Sequence, residues 1–202
     1  MPRDGSLTRS RLLDAAERLM ERNGFAATSV DQILEESGSS KGAFFHHFPS
    51  KRALAHALVG RYVDADLGML GRGLAAVEDV ADPVERALAF LRHYEQWAED
   101  LVSEDSACLY IAVLTERDLL DEETSAEIDR ALRAWRDGFA GLLRPAYDAA
   151  EVGTGPDVDE LADHLFATFE GAYLMCRAQR SPEPMRAQLR VLRQLVQAVL
   201  AR

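Results

Sequence analysis

The stretch Ala27–Lys51, ATSVDQILEESGSSKGAFFHHFPSK, decides how the rest of the chain is read. Its apolar residues fall at helical spacing in two short runs. Val30, Ile33 and Leu34 make the buried side of the first run, and Ser29 with Gln32 three residues later predicts a capping box at its start. Ser37-Gly38-Ser39 interrupts the periodicity with residues that favour turns. The second run begins at the cap Ser40, reaches about His47 and is closed by Pro49. Ser50 then caps another helix. Phe44 and Phe48, four apart, are expected to face their own domain, whereas Ser39, Ser40, Lys41, Gly42 and Ala43 keep the first turn small and polar.

Two short helices joined by a glycine-containing turn match a helix-turn-helix over about residues 29–48. In that geometry the second helix enters the major groove of DNA and presents its early side chains to base edges. The cations sharpen the reading. Lys41 follows the cap Ser40, and Lys51 follows the cap Ser50. A cation in a first turn opposes the helix dipole, at a cost of roughly 0.3–1 kcal/mol when exposed. Both placements make sense if phosphate oxygens meet the backbone N–H groups and the lysine together.

Outward from this core the spacing stays helical, and no stretch alternates with period two long enough for a strand. A first helix is expected from Thr8, as its cap, to about Asn23, with Leu12, Leu13, Ala16, Leu19 and Met20 on one face and Gly24 at its end. The helix after Ser50 has an end blurred by Gly68, Gly71 and Gly73. Others follow from Pro83 to Leu101, Cys108 to about Arg117, Asp121 to about Ala149, Asp157 to Arg180 and Glu183 to Ala201. The expectation is an all-α chain of about nine helices. A helix-turn-helix domain would occupy residues 1–60, and a helical effector-binding and dimerisation domain residues 61–202.

The 202 residues carry a net charge of −11, which at first argues against a nucleic-acid partner. Its distribution argues otherwise: residues 1–62 hold 9 Lys+Arg against 7 Asp+Glu, and residues 63–202 hold 14 against 27. No apolar run approaches the ~20 residues of a membrane span, and no secretory signal opens the chain, so a cytoplasmic protein without membrane contact is expected. Cys108 and Cys176 stand far apart, which disfavours a disulfide scaffold or zinc site. None of the five histidines follows a Glu at three residues, and there is no Gly-x-Ser-x-Gly elbow, HExxH or Walker loop. No catalytic residues, metal or cofactor are expected. The alternative is a helical ligand-binding or interaction dimer without DNA function; an enzyme stands behind both.

The segments Ala27–Gly38 and Ser39–Lys51 together resemble the DNA-binding domain of TetR/AcrR-family regulators, over about residues 8–60. The resemblance implies that Lys41 and Lys51 contact phosphates and that Ser29 touches the DNA backbone while capping its helix. It puts Ser39, Ser40, Gly42, Ala43 and His46 near the groove floor. Phe45 stands where the family often has Tyr, whose hydroxyl reaches a phosphate; Phe has no donor for that bond. His47 likewise stands where an aromatic hydroxyl is common, and its imidazole retains a donor.

The resemblance also implies that the acidic half holds an effector pocket and a dimer interface. Leu189, Leu192, Val196 and Val199 recur at three- and four-residue spacing, with Leu161 and Leu165 beginning a second stripe on the preceding helix. These are the residues expected in a two-fold four-helix interface. The pocket candidates are Tyr94, Trp97, Cys108, Tyr110, Trp135, Phe139, Phe166, Phe169 and Tyr173, aromatic walls suited to a small, partly apolar effector. The partners implied are a palindromic double-stranded DNA operator, a second copy of the chain and that effector.

Overall fold

The computed structural model describes residues 3–102, 110, 113–114 and 121–201, and among them every regular element is helical. Nine helices are described: α1 (Arg3–Asn23), α2 (Val30–Ser37), α3 (Lys41–His47), α4 (Lys51–Ala75), α5 (Pro83–Gln96), α6 (Ala98–Leu101), α7 (Glu122–Ala149), α8 (Val158–Gln179) and α9 (Glu183–Leu200). They divide into two compact units, residues 1–64 with 109–129, and residues 65–108 with 130–202. The expected helix from Cys108 to Arg117 lies largely outside the described residues.

In the first unit the caps sit where local chemistry puts them. Ser29 Oγ accepts from Gln32 N at 3.2 Å, and Gln32 Oε1 accepts from Ser29 N at 2.8 Å, which closes the capping box. Gly38 ends α2 at φ 62°, a left-handed conformation that glycine adopts without a Cβ penalty. Ser40 and Ser50 each accept from the N–H three residues on, at 3.1 and 3.0 Å. One boundary differs from expectation: α1 begins at Arg3, so Thr8 lies inside the helix, where its hydroxyl accepts from Arg11. The turn-favouring Gly5 and Ser6 lie within this first stretch of the helix and do not end it, and Pro2 precedes its first residue.

Leu12, Leu13, Ala16, Leu19 and Met20 of α1, Ile33 of α2, Phe44 and Phe48, and Leu54 and Leu58 of α4 are all buried. Phe44 is fully enclosed, with the Phe48 ring 6.0 Å away, and truncating such a side chain to Ala costs about 3–5 kcal/mol. Arg61 of α4 reaches both Asp14 and Glu17 of α1, bracing the two helices side by side.

In the second unit an aromatic column forms the core. Phe90 stacks on Phe139 at 5.5 Å, Tyr94 meets Phe90 edge-on at 5.1 Å, and Trp135 lies 5.4 Å from Tyr94. The polar ends are satisfied, since Tyr94 Oη donates to the Met69 carbonyl at 3.0 Å and Trp135 Nε1 to Asp66 Oδ1 at 3.0 Å. Helix α9 packs on α5 and α8. Glu95 of α5 accepts from Arg190 Nε at 3.1 Å and Arg193 Nε at 2.9 Å of α9.

Candidate nucleic-acid interface

Helix α3 has two unlike sides. Phe44 and the capping residue Phe48 point inward, and Lys41, Gly42, Phe45 and His46 are exposed. Positions 41 and 45, and 42 and 46, are each one turn apart, so these four share one outward face. Phe45 is 48% exposed and rests edge-on against Phe44 at 5.2 Å. His46 and His47 meet edge to face at 5.0 Å, with His47 half-buried against Phe48.

The other expected DNA-facing residues divide. Ser40 is exposed, and its oxygen caps α3. Ala43 is half-buried beside the outward face. Ser39 departs from expectation: its hydroxyl oxygen is buried, so it turns into the unit instead of toward a groove. Ser29 is exposed at the start of α2, as expected. Glu36 of α2 is met by Arg18 at 3.2 Å and Arg22 at 3.7 Å, which offsets an acid close to the reading helix.

Lys41 is exposed and has no ion-pair partner among the described residues. Lys51 differs. Its Nζ donates to the carbonyl oxygens of Phe25 and Thr28 at 2.9 and 2.8 Å and lies 4.1 Å from the centroid of the Phe25 ring. Two backbone acceptors and an aromatic face thus offset the helix dipole at Lys51 from within the chain, a role that the expected phosphate contact did not include. Spacing gave no sign of this, since the acceptors lie 26 and 23 residues away.

Further along α4, His56 stands between two carboxylates. Its Nε2 lies 2.8 Å from Asp121 Oδ2, and its Nδ1 lies 3.0 Å from Glu123 Oε2. Asp121 also accepts from Thr124 N at 3.0 Å, the bond that does most to hold its carboxyl below the usual range.

The expected effector residues differ in their surroundings. Tyr94, Trp135 and Phe139 belong to the packed aromatic column. Trp97 is 53% exposed. Tyr110 falls in the first unit, edge-on to Tyr62 at 4.9 Å. Phe166 and Phe169 are half-buried, Tyr173 is buried, and Cys108 lies outside the described residues. His93, half-buried next to Tyr94, is held below the usual imidazole range by burial and by Arg72.

Five of the six residues expected at the dimer interface face the chain's own core. Leu189 and Val196 are fully enclosed, and Leu161, Leu165 and Leu192 are buried, all in the chain's own core where α9 meets α5 and α8. Val199 is half-buried. The exposed apolar side of α8 and α9 carries Leu174, Met175, Val191 and Leu195, at 52, 40, 44 and 51% exposure. Ala167, Gly171 and Ala178 extend it with small residues. Both stripes of α9 recur at helical spacing, so periodicity alone does not say which one faces inward.

Two family models match the chain: bacterial regulatory proteins of the tetR family over residues 12–58, and the tetracyclin repressor-like C-terminal domain over residues 83–192. The HTH-type transcriptional regulator LmrA of Bacillus subtilis is 30% identical over 182 residues, covering 88% of this chain and 90% of its own length. The HTH-type transcriptional repressor NemR of Escherichia coli is 28% identical over 185 residues, covering 88% of each. Among solved structures, the Bacillus subtilis regulator FadR in complex with stearoyl-CoA has a TM-score of 0.68 at 18% identity, over 93% of this chain and 96% of its own.

Proposed function

Because the chain belongs to the TetR family of bacterial regulatory proteins, we propose that it acts as a homodimeric repressor, released from a palindromic operator by a small, partly apolar effector. The chain is a DNA-binding transcriptional regulator and not an enzyme. The observation that carries the finer reading is the outward face of α3, where Lys41, Gly42, Phe45 and His46 stand clear of the core. On this reading Ser29, Ser40, Lys41 and His47 meet the DNA backbone, and Gly42, Ala43, Phe45 and His46 lie against base edges. A flat glycine beside a ring suits a groove floor, and an apolar ring suits a thymine methyl.

Two such faces must enter successive major grooves about 34–36 Å apart, which calls for a two-fold dimer. The apolar side of α8 and α9 is the surface assigned to it, with Leu174 and Leu195 at its centre. The similarity to the repressor NemR supports repression, and the stearoyl-CoA bound to FadR supports a partly apolar effector. Effector and operator then weaken each other equally, typically by ~1–3 kcal/mol of coupling. Such a protein works in the cytoplasm, where the operator is.

The test is binding to a duplex recovered by the protein from a random-sequence pool, measured across a salt series. An operator reader selects a palindrome and loses affinity steeply with salt as phosphate contacts release counterions. Recovery of no common sequence, or binding indifferent to salt, rejects the reading.

A further inference from the structure

The ammonium of Lys51, the first residue of α4, sits against the turn that joins α1 to α2. That turn leaves α1 through Gly24 at φ 82°, with Gly24 N donating to Met20 O. Thr28 N donates to Phe25 O at 3.2 Å, and the Thr28 hydroxyl donates to Gly24 O at 2.8 Å. Lys51 Nζ adds a second donor to Phe25 O and a donor to Thr28 O, and it rests on the face of the buried Phe25 ring. The residue after Thr28 is Ser29, the cap of α2. The residue before Lys51 is Ser50, which caps α4. One side chain therefore ties the capped starts of α2 and α4 together, and α3 is the segment between them.

We propose that Lys51 is a positioning residue for DNA reading: it fixes the two helix starts that flank α3 by holding the carbonyls of Phe25 and Thr28, and it is not a phosphate anchor. This inference rests on the DNA-reading role assigned above to α3. The chemistry favours lysine for the task. A compact ammonium with three rotatable donors meets two carbonyls while keeping its charge over a ring, whereas a planar guanidinium holds its donors in a fixed fork. Charge-assisted bonds of this kind are about twice as strong as neutral ones. Swinging the ammonium out to a phosphate breaks both bonds and the ring contact at once.

The experiment uses the full chain and a duplex that the wild-type protein recovers from a random-sequence pool. Lys51→Met removes the charge at similar length. The expected result is faster hydrogen exchange at the amides of Thr28 and Ser29, with operator affinity reduced about tenfold at every salt concentration and the salt slope unchanged. Lys51→Arg is expected to leave most of that loss unrepaired. A slope shallower by about one, the signature of a lost phosphate contact, overturns the inference, as does unaltered exchange in the turn or full recovery with arginine. If Lys51→Met does not fold, Phe25→Leu takes its place. Phe25 is buried and cannot touch DNA, yet removing its ring is expected to weaken binding severalfold at an unchanged slope; wild-type affinity in that variant also overturns the inference. Should the wild-type protein recover no duplex at all, the DNA-reading role of α3 fails, and the exchange measurement still reports separately whether Lys51 orders the turn.

Discussion

A Cβ placed on Gly73 would stand 2.1 Å from the hydroxyl oxygen of Tyr94. The same ring puts Cζ at 2.7 Å and Cε2 at 2.9 Å from that point, so the obstacle is the ring edge and not a flexible tip. Tyr94 is held there by its bond to the Met69 carbonyl and by contact with Phe90 and Trp135. Gly73→Ala is therefore expected to destabilise the protein by about 1–3 kcal/mol, the usual cost of overpacking. Urea unfolding measures it. Tyr94→Phe in the same chain should recover only a small part, because Cζ and Cε2 still collide; stability close to wild type in either variant would show that the ring moves freely.

Glu95 supplies a pH test. Burial alone would raise its pKa, but hydrogen bonds from Arg193 and Arg190 outweigh it and hold the carboxyl below the usual glutamate range. The unfolded chain binds this proton more tightly than the folded one in the interval between the two values. Its contribution to stability is thus complete above the unfolded value of about 4.3 and is lost as pH falls through the folded one. Glu95→Gln leaves two arginines short of an acceptor and is expected to cost about 1–3 kcal/mol near neutral pH. That deficit should shrink as the pH drops below about 4. A deficit that stays constant down to acid unfolding would mean the carboxylate is not held by the arginines.

The elements that were legible in the sequence are those closed by local bonds. The capping box of Ser29 and Gln32, the caps Ser40 and Ser50 and the left-handed Gly38 each depend on partners within four residues, and each stands where its residue type predicts. The inward side of α1 and of α3 was legible for the same reason, since each helix has one apolar stripe. What stayed hidden depends on distant partners. Lys51 looks like a surface cation until Phe25 and Thr28 are beside it. Tyr110 stands edge-on to Tyr62, a partner too distant in sequence for spacing to show. Helix α9 has two apolar stripes, and only the position of α5 shows that Leu189 and Val196 face inward while Val191 and Leu195 face out.

That reversal on α9 is testable by oligomeric state. Leu174→Glu and Leu195→Glu place charges at the centre of an exposed apolar face, and a stable dimer needs about 1,200–2,000 Å² of buried surface there. Together they are expected to give a folded monomer with native helical content and at least a hundredfold weaker operator binding, because one reading helix loses its partner. Leu189→Glu should instead unfold the chain, since that side chain is fully enclosed. Sedimentation and circular dichroism separate the outcomes. A dimer that survives both outward substitutions would move the interface elsewhere.

The last prediction separates grip from reading on α3. Lys41 is exposed and without an ion-pair partner among the described residues, so a phosphate contact by its ammonium adds the same free energy on every sequence. Lys41→Ala is expected to weaken operator and random duplex alike and to make the salt slope shallower by about one. Beyond its chain neighbours and its own helix backbone, a Cβ added to Gly42 meets nothing closer than Ser40 Oγ at 3.9 Å, so there is room for a side chain to start outward there. A change in sequence preference caused by Gly42→Arg then points to contact on the DNA side. This variant is expected to fold and to recover a different consensus from a random pool, because arginine at a groove floor seeks guanine O6 and N7. Recovery of the wild-type consensus at wild-type affinity would place position 42 away from the bases and reject this orientation of α3 in the groove.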